Sequence, residues 1–269
     1  MQYNRLLEGK RALITGGANG LGRACALKFA QHGASVVVAD IDEKAGEELL
    51  KELRGLNPQC AFFRADLRNE EDIEALCKAY LYDFGAPDIW LNSAGMIKLG
   101  FADKLADEHL VEMTNLNAVM PMRIMRRLAP AMTAKKGGSI IQIASEYSIT
   151  GQNNSSGYAA SMGARHALTN AFAMDYAECG IRANTILPGA GVGAMADIEA
   201  EGKTKEEEHL LWGTVNPLWR RAEDYEVANA ALFLASDMAA YITGEGLFVN
   251  GGQHVVSHNE HYRRERWAG

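Results

Sequence analysis

Seven short apolar runs alternate along this 269-residue chain with longer stretches of helical period, and that alternation leaves few architectures open. The runs are "RALIT" (11–15), "SVVVAD" (35–40), "CAFFRAD" (60–66), "DIWLNSAG" (88–95), "SIIQIAS" (139–145), "IRANTILPG" (181–189) and "GLFVNGG" (246–252). Their β-branched and aromatic residues suit strands, and the lack of strict alternation within them implies that both faces are covered. Helix-period stretches occupy 20–32, 43–54, 69–83, 106–134, 156–179 and 223–236. Repeated βαβ units of this kind predict an α/β fold, a doubly wound seven-stranded parallel sheet with helices on both faces. No repeat, linker or shift of composition marks a second domain, so residues 1–253 are expected as one unit and 254–269 as a C-terminal tail. The interval 190–222, charged and holding Trp212 and Trp219, lacks a strand and is expected as an insertion over the sheet.

Composition narrows the partners. A formal net charge of −7 gives no general attraction to nucleic acid or to an anionic membrane, and the basic tail "HYRRERW" is short. Cys25, Cys60, Cys77 and Cys179 form no C-x-x-C pair, so neither zinc nor a disulfide scaffold is indicated and free thiols are expected. No apolar run approaches the roughly 20 residues that span a bilayer. The expected location is the cytoplasm.

In doubly wound sheets a ligand sits beyond the carboxyl ends of the strands. After the first strand comes "TGGANGLG", with Gly16, Gly20 and Gly22 leading into a helix. Glycines there allow a tight turn, close approach to a pyrophosphate and close helix packing, while the helix N-terminus offers free N–H groups to phosphate. The second strand ends in Asp40, the place for a carboxylate that accepts from adenosine ribose hydroxyls and repels a 2′-phosphate. With no Lys or Arg at 41 or 42, NAD is the expected cofactor in preference to NADP.

Further motifs follow in order, each after an expected strand: Asp66-Leu67, "NSAG" (Asn92 to Gly95), "TNLNA" with Asn115, Ser145, Tyr158 thirteen residues on, and Pro188-Gly189. Together with the glycine turn, these make the chain resemble the compact short-chain dehydrogenase/reductases, with their Rossmann-type fold, from about residue 9 to 253. The resemblance implies that Gly16, Asn19, Gly20, Leu21, Gly22, Asp40, Asp66, Leu67, Asn92, Ala94, Gly95, Tyr158, Pro188 and Gly189 bind the cofactor. It also implies a reaction, interconversion of a secondary alcohol and a ketone by hydride transfer. In that reaction Tyr158 is the acid/base, Ser145 holds the substrate oxygen, and Asn115 bends its helix and holds a water in the proton path.

One departure bears on activity. A free tyrosine has a pKa near 10 and is a poor base at neutral pH without a nearby cation. The family places a lysine four residues after the tyrosine, one helical turn on, where it also binds the nicotinamide ribose. Here that position is Met162, which fills nearly the volume of a lysine stem but has no charge and no N–H donor. Impaired turnover is expected. Three accounts of Met162 stand: an exchange introduced into an otherwise complete site, natural divergence with a differently activated tyrosine, or a nucleotide fold kept for binding and assembly alone. A glycine at 193, where the family often has threonine, is a second departure. Arg165 and Lys98 are expected as solvated surface charges and His166 as a packed residue, while His254, His258 and His261 lack the partners of a metal site.

The substrate contacts expected are Ser145, Glu146, Asn153 and Tyr158, with Gln152 and Asn154 also polar and Met96, Trp212 and Trp219 apolar. This lining hints at a sugar acid or polyol, with a steroid-like or aromatic alcohol as the alternative. By resemblance the chain is expected as a homotetramer joined through the helices at 106–134 and 156–179 and the last strand. The tail, with Tyr262 and Trp267 among arginines, either docks on a neighbouring subunit or frays.

Overall fold

The computed structural model describes residues 5–189, 202–204, 207 and 215–255. Among them seven strands form one wholly parallel sheet: β1 (Arg11–Thr15), β2 (Ser35–Asp40), β3 (Ala61–Arg64), β4 (Ile89–Asn92), β5 (Gly138–Ile143), β6 (Ile181–Pro188) and β7 (Gly246–Val249). Their order across the sheet is β3-β2-β1-β4-β5-β6-β7, with Leu13 opposite both Val37 and Trp90 in register. The helices are α1 (Gly20–Gln31), α2 (Glu43–Leu56), α3 (Glu70–Phe84), α4 (Asp107–Thr114), α5 (Met120–Lys135), α6 (Ser156–Tyr176) and α7 (Asp224–Ala235).

Successive residues of a strand point to opposite faces, and the strands here bury both. Ile14, Val36 and Val38 face α1, α2 and α7 through Phe29, Leu49, Leu53 and Leu234. Leu13, Val37 and Trp90 face the other way, onto α3, α5 and α6 through Ile73, Tyr80, Ile124, Leu128 and Phe172. The expected doubly wound α/β architecture is therefore the observed one.

Local signals set the helix ends. Asp42 and Asn69 cap α2 and α3 by accepting from the Ala45 and Glu71 N–H groups, and Gly85, with φ +70°, lets the chain leave α3. Sequence periodicity runs unbroken from 106 to 134, but the structure divides it. Residues Asn115–Val119 form a π turn between α4 and α5. A π turn inserts one residue per turn, so it rotates every side chain after it relative to an unbroken helix.

Trp219 lies in the described part of the expected insertion, with φ +58°. Trp212, most of 190–214, and His258, His261, Tyr262 and Trp267 of the tail lie outside the described residues. Arg220 and Glu226 pin the far side of the insertion to the start of α7 by paired bonds of 2.6 and 2.7 Å. Those bonds, with the Glu223 N–H, hold the Glu226 carboxyl at about 2. A carboxyl depressed on folding stabilises the protein fully above its ordinary range near 4.5, and that contribution drains away as pH falls toward 2. Since the pair is partly exposed, Glu226→Gln is expected to cost about 1 kcal/mol or less at pH 7. It should also flatten the fall in melting temperature between about pH 5 and pH 3, which thermal melts across that range measure.

Candidate functional site

β1 leads into α1 on one face of the sheet and β4 leads toward α5 on the other, so a crevice opens beyond the ends of these two neighbouring strands. Its floor is a buried polar relay. Thr15 Oγ1 donates to Asn92 Oδ1 at 2.9 Å, and Asn92 Nδ2 donates to Gln142 Oε1 at 2.7 Å, linking β1, β4 and β5 side by side. The N–H groups of Ser93 and Ala94 return to the Thr15 carbonyl at 2.8 and 3.0 Å. Sequence resemblance puts Asn92 among the cofactor contacts, and the structure shows what its side chain does. Asn92 is fully buried and its amide is spent on its neighbours, so it shapes the turn that presents Ala94 and Gly95.

The glycine turn forms the crevice's other lip. Gly16 has φ +71°, and a Cβ there would fall on the Ala94 backbone. A Cβ on Gly22 would fall on the Gly16 carbonyl, which sets how closely α1 approaches β1. Gly20, with φ +50°, faces open space. Asn19 stands at the head of α1 without capping it, its side chain turned 3.1 Å to Asp42, so among the described residues the first N–H groups of the helix keep no side-chain partner. Leu21 is half-buried behind them. Asp40 closes the turn: Oδ2 accepts from the Ala18 N–H at 2.9 Å and Oδ1 from the Asp42 N–H at 3.1 Å. This cradle fits an adenine dinucleotide, with room for a pyrophosphate over Gly20 and a carboxylate at the ribose end. Leu67 is buried, and Asp66 is engaged by Arg68 through bonds of 2.9 and 2.7 Å that draw its carboxyl below the usual range.

Beyond β5 the Ser145 hydroxyl accepts from the Tyr147 N–H at 3.2 Å and stands near enough to the Tyr158 phenol to draw its pKa down. Tyr158 packs with Ala144, Met162, Leu187 and Phe248. Burial pushes its phenol above the ordinary range, against the pull of Arg165 and Ser145. Pro188 is buried and Gly189 adjoins Asn250, whose Cβ lies 2.6 Å from where a side chain on the glycine would begin.

Arg165 stands elsewhere than the sequence suggests, and Asn115 and Glu146 have settings that the sequence does not announce. Asn115 is exposed, because the π turn carries Asn117 inward in its stead. Asn117 is fully buried, accepts from the Met96 N–H and donates to the Met96 carbonyl, each at 2.9 Å, and donates to Ser161 Oγ. Glu146, expected at the substrate, is buried with its carboxylate accepting from Asn250 Nδ2 at 2.6 Å. Asn250 in turn lies 3.0 Å from His254, which stacks on Phe248. Arg165, expected in solvent, is 1% exposed. Its Nε, Nη1 and Nη2 donate to the carbonyls of Asn117, Ile143 and Ala94 at 2.7, 2.7 and 2.6 Å.

The remaining polar candidates divide. Gln152 and Asn153 are exposed, whereas Asn154 adopts φ +61° and its carbonyl accepts from the Gly100 N–H, a backbone duty. Lys98 is exposed, and His166 is half-buried against Thr185 at 3.0 Å. The inward turn of Asn117 carries no local sequence signal beyond its polarity among apolar neighbours. Arg165 does carry one: it stands seven residues after Tyr158, two turns on and on the same helical face.

Comparison with known proteins agrees in extent. A family model described as enoyl-(acyl carrier protein) reductase matches residues 16–254. The 3-oxoacyl-[acyl-carrier-protein] reductase FabG of Thermotoga maritima is 31% identical over 91% of this chain and 98% of its own length. The oxidoreductase UcpA of Escherichia coli O157:H7 is 34% identical over 91% and 95%. Among solved structures, L-sorbose reductase from Gluconobacter frateurii, complexed with NADPH and L-sorbose, superposes with a TM-score of 0.88 at 27% identity over 94% of this chain and all of that one.

The glycine turn gives a direct test of the crevice. Gly22→Ala drives a methyl into a backbone carbonyl that cannot yield, so it is expected to cost about 1–3 kcal/mol and to weaken dinucleotide binding at least tenfold. Denaturant unfolding and fluorescence titration with NADH and NADPH measure the two effects.

Proposed function

Since the chain belongs to the short-chain dehydrogenase/reductase family of oxidoreductases, we propose that it interconverts a secondary alcohol and a ketone with Tyr158 as the acid/base and NAD(H) as the cofactor. The observation that carries this reading is Tyr158 packed at the end of β5 in the electrostatic reach of Ser145, together with the crevice that the glycine turn and the Ala94–Gly95 turn enclose. When bound, the nicotinamide supplies or accepts the hydride.

The protein's own groups manage the proton and the substrate oxygen. In oxidation the Tyr158 oxygen takes the alcohol proton, and in reduction it returns a proton to the carbonyl oxygen. Ser145 donates to that same oxygen and fixes the reacting carbon between the tyrosine and the cofactor crevice. Gly20 and the open head of α1 hold the pyrophosphate, and Asp40 holds the adenosine ribose. Asp40 also disfavours a 2′-phosphate by charge, which supports NAD over the NADPH bound by L-sorbose reductase. Asn153 and Gln152, both exposed near the start of α6, support a hydroxylated substrate of the sugar or polyol class, as does the L-sorbose in that relative. Exposed Leu110, Val111 and Met122 along α4 and α5, with Met174 on α6, support self-association through the helices expected to join subunits.

Two measurements test the reading. Tyr158→Phe is expected to lower turnover about 10²- to 10⁴-fold with a polyol or its ketose, while the affinity for NADH falls less than tenfold. Retained turnover in this variant removes the tyrosine from the mechanism. Asp40→Ala is expected to narrow the preference for NAD over NADP by tenfold or more in paired kcat/KM measurements, and an unchanged ratio removes Asp40 as the selector.

A further inference from the structure

Met162 leaves this site without the ammonium that would lower the phenol of Tyr158, yet the structure holds a cation close by. The methyl end of Met162 and Nη2 of Arg165 both lie 3.4 Å from the place where a Cβ on Gly95 would stand, with Asn117 Oδ1 at 3.1 Å. Side chains on an α-helix tilt toward its N-terminus. From two turns below Tyr158, the long Arg165 side chain reaches back toward Met162 and meets the same spot beside Gly95. Methionine, uncharged and flexible, gives the guanidinium room.

The bonding of Arg165 is that of a held charge. It donates to three backbone carbonyls, from the turn after β4, from the end of β5 and from the π turn. Among the described residues no carboxylate pairs with it, and the acidic group that acts on it is Tyr158. Burial draws its pKa down to about 10, so it remains charged at neutral pH. The influences on Tyr158, besides burial, are Arg165 from its own helix and Ser145 from the end of β5. Glu146, next to Ser145, directs a carboxylate oxygen at Asn250. A buried guanidinium with carbonyls but no anion around it is an electrostatic setting that favours a phenolate.

We propose that Arg165 is the positioning residue that takes over the electrostatic work of the absent lysine, stabilising the Tyr158 phenolate so that the enzyme turns over with methionine at 162. The proposal rests on the reading of Tyr158 as the acid/base. It favours the account of Met162 in which the tyrosine is differently activated.

The test uses the full-length protein as wild type, Arg165→Met, Arg165→Lys, Met162→Lys and the double variant Met162→Lys with Arg165→Met. Titration of the Tyr158 phenol by NMR of ring-labelled tyrosine, assigned with Tyr158→Phe, reads the coupling without substrate. The pH profile of kcat/KM for alcohol oxidation reads its use. Arg165→Met is expected to raise the phenol pKa and the acidic limb of the profile by one unit or more, and to lower turnover at pH 7 by about 10²-fold, within the span of an acid–base effect. The double variant, which restores a cation at the same point, is expected to recover at least tenfold of that loss, and Arg165→Lys an intermediate part. Met162→Lys alone crowds two cations at one buried point and is expected to lower turnover.

A folded Arg165→Met protein with an unmoved phenol pKa and profile overturns the proposal. Should that variant not fold, a hundredfold gain from Met162→Lys alone overturns it, because the site then lacked a working cation. If the phenol titration shifts as expected but wild type turns over no alcohol or ketone, the coupling stands and the oxidoreductase reading of this site fails.

Discussion

Reversal of winding between β1 and β4 is the constraint from which the site follows. Neighbouring parallel strands whose connections depart to opposite faces cannot close the space above their ends, and backbone there must be supported by hydrogen bonds of its own. Thr15, Asn92 and Gln142 provide that support across three strands. The relay fixes the Ala94–Gly95 turn against Gly16, which in turn fixes α1 through Gly22.

The opposite lip depends on a second set of buried bonds that draws in more distant parts of the chain. Asn117 joins the π turn to Met96 and to Ser161 of α6, and Arg165 joins the same turn to β4 and β5. Met162 fits between them as a packing residue, 4% exposed and in the small cluster that includes Tyr158. Thus the apolar side chain at this position and the cation seven residues from the tyrosine belong to one arrangement, in which the volume of a lysine stem is kept and the charge arrives from another backbone position.

Much of this was legible in the sequence, and the rest was not, for identifiable reasons. Strand runs such as "RALIT" and "SVVVAD" coincide with β1 and β2, because buried parallel strands read as continuous apolar stretches. The glycine turn and Asp40 are equally local, since their duties are set by backbone conformation at one strand end. Helix periodicity from 106 to 134 hides the π turn, because one extra residue in a turn leaves the apolar pattern nearly intact while exchanging Asn115 for Asn117 on the inner face. Arginine composition statistics favour solvent, and only the meeting of three carbonyls from separate elements gives Arg165 a buried place. Glu146 is buried for the same kind of reason, since its partner Asn250 lies 104 residues away.

The three carbonyls that hold Arg165 come from elements far apart in the chain, and they converge only when β4, β5, the π turn and α6 have all assembled. Away from that convergence the guanidinium is better solvated by water, so its burial depends on all of these elements together. The proposed cation beside Tyr158 thus belongs to no single element: it is a property that β4, β5, the π turn and α6 hold in common.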